Sequence, residues 1–198
     1  MAPVNALKFP LPATTTTFQG TPMKKALCIF ALLLPVSLFA QTAKERDMSN
    51  AEKFMAKAGT LQQIEWVEVG SIGNVEIKVL HITDLLSKTK SSALRFEKET
   101  SNTYSATKSA TLDEDEVTGV IQSLESLKSL STKSYPNYTE IKYTSRDGFS
   151  AGGYISKGKW TLFLKLERFD SESYEFLDVE RLTELINKIW DGKKKLAF

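Results

Sequence analysis

Residues 112–124 read LDEDEVTGVIQSL, and residues 177–189 read LDVERLTELINKI. Leu112, Asp113, Thr118 and Ile121 recur as Leu177, Asp178, Thr183 and Ile186. The apolar positions Val117, Val120 and Leu124 recur as Leu182, Leu185 and Ile189. Upstream, EIKV at 76–79 returns as EIKY at 140–143. A chain that uses one unit twice must bury the same apolar stripe twice, so the repeat limits the fold more than composition does.

Each unit opens with strands. From residue 61 the period is two, with Ile64, Trp66 and Glu68 alternating with Glu65, Val67 and Val69. The GSIGN turn at 70–74 leads into Val75, Ile77, Val79 and His81, which alternate with Glu76, Lys78 and Leu80. This alternation marks half-buried strands. Residues 84–92 read as a polar loop, and 93–98 and 103–108 as a third and a fourth strand around a turn at 100–102. In the second unit, strands are expected at 139–144, 149–156 and 160–169. Arg146-Asp147-Gly148 supplies a hairpin turn, because Asp-Gly accepts the positive φ such turns need.

Each unit closes with a helix. Asp113 with Glu116 three residues on is a capping-box pattern, and the 3/4 spacing from Val117 to Leu127 gives one apolar stripe, ending near Ser131. Asp178 caps the second helix. Gly119 interrupts the first at a cost of ~1 kcal/mol relative to Ala, which a close approach of that helix to a sheet would offset. Strands in runs, each closed by a helix, predict an α+β fold. The expectation is an antiparallel sheet built from two related β-β-β(-β)-α halves, about 61–131 and 138–192, with the helices packed on the sheet. The whole forms a single domain over 61–198.

In its order of elements alone, this layout resembles the ββββα repeats of PUR and Whirly-type nucleic-acid binders. No sequence motif accompanies the resemblance, and a shared fold does not fix function. What it implies is a single-stranded nucleic-acid binder, the reading to be weighed against charge and partners.

The first forty residues read as an address. Lys24 and Lys25 precede the apolar run at 26–34, and Pro35, Ser37 and Ala40 lead to Gln41. This order is that of a secretory signal peptide over 23–40, cut after Ala40 or near Ala43. The apolar run of about 15 residues is shorter than the roughly 20 a membrane anchor needs. Cys28 lies inside the run, where lipidation is not expected. Residues 1–22 hold four prolines and no acid, and read as a non-native extension upstream of a start at Met23. A transit peptide is the alternative, weakened by the absence of Arg. Residues 41–60 form a polar segment or a short helix carrying Ala51, Phe54, Met55 and Ala58, ended by Gly59.

The whole chain has 26 basic and 24 acidic residues, a net +2. Residues 41–198 lose Lys8, Lys24, Lys25 and the one Cys, and carry a net −1. A thiol-free exported chain excludes disulfides, thiol catalysis and, with His81 as its one histidine, a typical zinc site. His81 is in phase with Val75, Ile77 and Val79 and reads as a structural or rim residue. Asp113, Glu114, Asp115 and Glu116 lack the spacing of a calcium loop and suit the positive end of a helix. Asp170, Glu172 and Glu175 read as a solvated loop. Gly152-Gly153 marks a bulge or a close backbone approach. No nucleophile elbow, P-loop or dinucleotide fingerprint occurs.

Nucleic-acid binding needs a basic face, and Lys193-Lys194-Lys195 is the one basic cluster. Phe149, Tyr154, Trp160 and Phe163 offer rings for stacking, but read as core and hairpin packing. The sequence therefore predicts an exported, periplasmic or secreted, non-catalytic binding or structural module. Its partner would be a protein or an extracellular polymer, with no cofactor, metal or catalytic residue singled out. A carboxylate-based hydrolase and a single-stranded nucleic-acid binder of PUR/Whirly-like topology are the alternatives.

Overall fold

The structure, a computed structural model, describes residues 48–100 and 106–198. The leader at 23–40, the segment before it and the turn residues 101–102 lie outside the described residues. The elements are α1 (Asn50–Met55), β1 (Gln62–Ile72), β2 (Val75–Asp84), β3 (Lys90–Glu99), β4 (Thr107–Asp113), α2 (Glu114–Leu130), β5 (Thr139–Thr144), β6 (Ser150–Ser156), β7 (Lys159–Lys165), β8 (Tyr174–Leu177) and α3 (Val179–Lys195). They form two four-stranded antiparallel sheets, β1-β2-β3-β4 and β5-β6-β7-β8. Each sheet is followed by its helix, so the fold is α+β with two similar halves, as the repeat implies.

Several boundaries differ from the sequence reading, each for a local reason. β4 covers Thr107–Asp113, with residues 103–105 of the expected fourth strand outside the described residues, and strand passes straight into helix α2. The loop after β2 is a tight turn. Asp84 accepts the N–H groups of Leu86 and Ser87 at 2.9 and 3.0 Å. Lys88 adopts a φ of 61° to let β3 return. The last long strand stops at Lys165, and a separate fourth strand, β8, follows. In β1 the register shifts between Glu68 and Gly70. Val67, Val69 and Ile72 therefore turn to the core while Ile64 and Trp66 stay exposed.

The two halves exchange helices. α3, from the second half, lies across β1, β2 and β3 of the first sheet, while α2 rests on β5 and β6 as well as on its own β3 and β4. One core results, running from Val75, Ile77, Val79, Leu94 and Phe96 through Val117, Ile121 and Leu124 to Leu164, Leu185 and Ile189. Phe96 and Phe149 meet in it with ring centroids 4.8 Å apart. The close approach of helix to sheet falls on Gly192, where a Cβ would overlap the side chain of Leu94. At Gly119 a Cβ would meet nothing within 4 Å, so that glycine does not serve close packing.

Loops repeat the exchange. The β5–β6 turn reaches the β4–α2 junction, where Asp147 Oδ2 accepts the N–H of Thr111 at 2.8 Å and Glu116 Oε1 accepts the N–H of Arg146 at 2.8 Å. The β1–β2 turn reaches the β8 strand, where Gly73 leaves room for Glu175. α1 covers part of the outer face of the first sheet, packing Ala51, Phe54 and Met55 on Leu80, Ile82 and Ala93.

Candidate binding face on the second sheet

Alternation along the strands gives each sheet an inner and an outer face. In the second sheet the inner rows are Ile141–Gly153–Leu162–Leu177 and Tyr143–Ala151–Leu164–Glu175. The outer rows are Glu140–Tyr154–Thr161, Lys142–Gly152–Phe163–Phe176 and Thr144–Ser150–Lys165–Tyr174. Aromatic side chains from four segments thus reach one surface. They form a continuous ladder: Tyr138 to Tyr154 at 6.1 Å, Tyr154 to Phe163 at 6.4 Å, Phe163 to Tyr174 at 5.4 Å, and Tyr174 to Phe176 at 5.9 Å, the last pair stacked. Tyr138 and Phe176 at its ends are 65% and 58% exposed, while Phe163 in the middle is buried.

Hydroxyls and few charges surround the rings. Thr144 and Ser150 are 3.2 Å apart, and Thr161 lies in the next row. Tyr138 donates to Glu140 Oε2 at 3.3 Å. Desolvation and the Glu140 carboxylate push the Tyr138 phenol up from its ordinary range, so it stays a donor. Glu140 also holds Lys142 at 3.0 Å and raises its pKa. Lys165 lies 4.6 Å over the Tyr174 ring, a cation–π contact. Gly152 sits beneath the ladder. Any side chain there would run into the Ile141 carbonyl and the Lys142 side chain. The β5–β6 register continues unbroken through it, so the Gly152-Gly153 pair is a close approach and not a bulge.

The four aromatics singled out from sequence divide between two settings. Phe149 is fully buried in the core. Trp160 belongs to the inner side of its strand. It donates its indole N–H to the Lys133 carbonyl at 2.9 Å and meets Tyr135 edge-on at 5.7 Å. Tyr154 and Phe163 belong to the ladder, together with Tyr138, Tyr174 and Phe176, which sequence reasoning did not pick.

Other sequence candidates settle elsewhere. Asp113, Asp115 and Glu116 converge closely enough to suggest a cation site, but the Arg146 guanidinium fills the centre. It pairs with Asp113, with Asp115 at 2.8 Å and with Glu116 at 3.8 Å. Both Asp113 oxygens also accept from the start of α1, from Asn50 N–H at 2.7 Å and Ala51 N–H at 2.9 Å. The acidic run is therefore a junction of three segments, more than the helix-end charge it resembles in sequence.

Nor is the second acidic group a solvated loop. Glu175 is buried and paired with Lys98 at 3.0 Å, and Asp170 is paired with Lys108. His81 packs its ring 4.6 Å from Phe198. Lys193 donates to Thr118 at 2.9 Å and Lys195 to the Glu68 carbonyl at 2.7 Å, while Lys194 pairs with Asp191 at 3.0 Å.

A hollow of about 710 Å³ lies at one end of the first sheet, lined by Glu76, Lys78, Glu97, Lys98 and Glu99. Its two central carboxylates are bridged by one ammonium. Lys78 Nζ lies 2.7 Å from Glu76 and 3.1 Å from Glu97, and those hydrogen bonds raise the Lys78 pKa. No family model, curated protein or solved structure matches the chain.

Proposed function

We propose that the protein is an exported, non-catalytic binding module, and that the outer face of its second sheet holds a hydroxyl-rich extracellular polymer, a glycan strand. The single observation that carries the reading is the five-ring ladder from Tyr138 to Phe176. Flat rings take up the apolar faces of sugars by packing, and amphipathic rings such as Tyr serve a ligand that is half apolar and half wet. The exposed hydroxyls of Thr144 and Tyr138 beside them match a ligand made of hydroxyls. A nucleic acid would ask for an open basic groove, whereas on this face Lys142 is paired with Glu140 and Lys165 lies over the Tyr174 ring.

Support for export is the charged, apolar and small-residue order over 23–40. The poverty of thiols and imidazoles in residues 41–198 supports a role without chemistry.

Affinity electrophoresis through gels cast with soluble neutral polysaccharides tests the reading. Retention is expected for the native protein. A loss of roughly fivefold is expected for Tyr154→Ala or Phe176→Ala, given about 1 kcal/mol of ring packing each. Retention by none of the glycans would overturn it. Tight binding of oligothymidylate that weakens steeply with salt would do so in favour of the nucleic-acid reading.

A further inference from the structure

Two four-stranded sheets present four edges, and an open edge is a template for another strand. Three of the four are bonded by the protein's own side chains. On β1, Lys195 donates to the Glu68 carbonyl at 2.7 Å, and the strand bulges beside it. On β4, Asp147 takes the N–H of Thr111 at 2.8 Å. On β8, Lys98 donates to the Tyr174 carbonyl. Among the described residues, β5 pairs with β6 on one side and no side chain bonds the backbone of its other side.

The sequence of this edge is TEIKYT. A side chain on Gly152 would meet the Ile141 carbonyl, so that carbonyl lies on the β6 side. Bonding direction alternates along an antiparallel strand. Residues 140 and 142 therefore turn their N–H and C=O groups outward.

We propose that β5 pairs antiparallel with β5 of a second copy of this chain, about a two-fold axis at Ile141. Glu140 of each copy then stands opposite Lys142 of the other, twice. The outward-bonding residues face one another, as a ladder requires, and the Glu140–Lys142 pairs within each chain join into a ring of four charges. Sliding the strands by one pair in either direction puts Glu140 opposite Glu140 or Lys142 opposite Lys142, so charge selects the register. On the inner side, half-buried Ile141 meets its own copy. Tyr143 meets Thr139 beside a groove of about 420 Å³ between α2 and β5. The product is one eight-stranded sheet in which the two aromatic ladders lie on a common face.

Sedimentation velocity on the full chain, with charge reversal, tests this. The native protein is expected to dimerise below about 100 μM. Glu140→Lys or Lys142→Glu alone turns both attractive contacts into repulsive ones and should weaken the dimer roughly tenfold. The double reversal restores opposite charges and should return it close to native affinity. Lys142→Pro removes an outward N–H without touching the β6 ladder and should give a monomer with native circular dichroism. A native protein that stays monomeric overturns the proposal. So does a dimer indifferent to all four variants. Neither result bears on glycan retention, which is read separately.

Discussion

Asp113 and Asp178 occupy the same place in the repeat, yet the structure gives them unequal work. Asp178 is exposed and caps its own helix, accepting the N–H of Arg181 at 2.7 Å. Removing such a cap costs about 1 kcal/mol. Asp113 is buried, 4% exposed, and forms a capping box with Glu116 at the start of α2. Its carboxylate also holds the first two N–H groups of α1 and the Arg146 guanidinium.

Asp113→Ala leaves the buried Ala51 N–H without its partner, and strips Arg146 of its most buried counter-ion. Each charge-assisted bond is worth roughly 1.5–3 kcal/mol, and Arg146, one-third exposed, keeps Asp115 and Glu116 as partners. The terms overlap, so about 4 kcal/mol is expected. At about 2–4 °C per kcal/mol for a chain of this size, the melting temperature should fall by about 8–16 °C. Asp178→Ala should lower it by about 2–4 °C.

Thermal and urea unfolding of the two variants, side by side, is the assay. Exchange at the Ala51 amide should also rise sharply in Asp113→Ala. Equal losses in the two variants would refute the assignment of Asp113 as a junction. So would a double-mutant cycle with Arg146→Ala that shows no coupling.

Two further outcomes follow from the glycines and the acids. Gly119→Ala should stabilise the protein by about 0.5–1 kcal/mol, because the new methyl meets nothing within 4 Å. Gly192→Ala should destabilise it by about 1–3 kcal/mol, because Leu94 must leave its rotamer; urea midpoints read both signs. The Thr60 hydroxyl and the Ser87 N–H hold the Asp84 carboxyl well below the usual carboxylate range. A depressed folded-state pKa gives stability that is present above the unfolded value, about 4, and lost as pH falls below it. Asp84→Asn should therefore flatten the acid limb of a stability profile relative to the native protein. A parallel limb would reject the assignment.

The elements that announced themselves in sequence are those whose signals are local. The Asp caps with their 3/4 stripes located both long helices, and the Asp147-Gly148 turn located the β5–β6 hairpin. β8 escaped because Tyr174–Leu177 is four residues long, with two rings turned outward and no apolar alternation to mark it. The faces of β1 were ambiguous because apolar residues occur in both phases, and the register shift near Gly70 decides which phase is buried. The aromatic ladder was half visible. Tyr154 and Phe163 stood out, but Tyr138, Tyr174 and Phe176 join them through strand register alone, which no single segment encodes. The Asp113 junction was hidden for the same reason, since Asn50 and Arg146 lie far from it along the chain.

The crossed helices have a consequence for how this chain is made and cut. A first half ending at Ser131 would lack α3, the helix that lies over Val79 and Leu94, and would leave that apolar sheet bare. The unit cannot mature piecemeal from its N-terminal end. The non-local contacts between α3 and β1 make slow, concerted folding the rule for such a topology. Conversely, a single protease nick between the halves, in the exposed residues 136–138, severs the backbone but none of the interlock. The two fragments would stay together as a noncovalent pair, each wearing the other's helix.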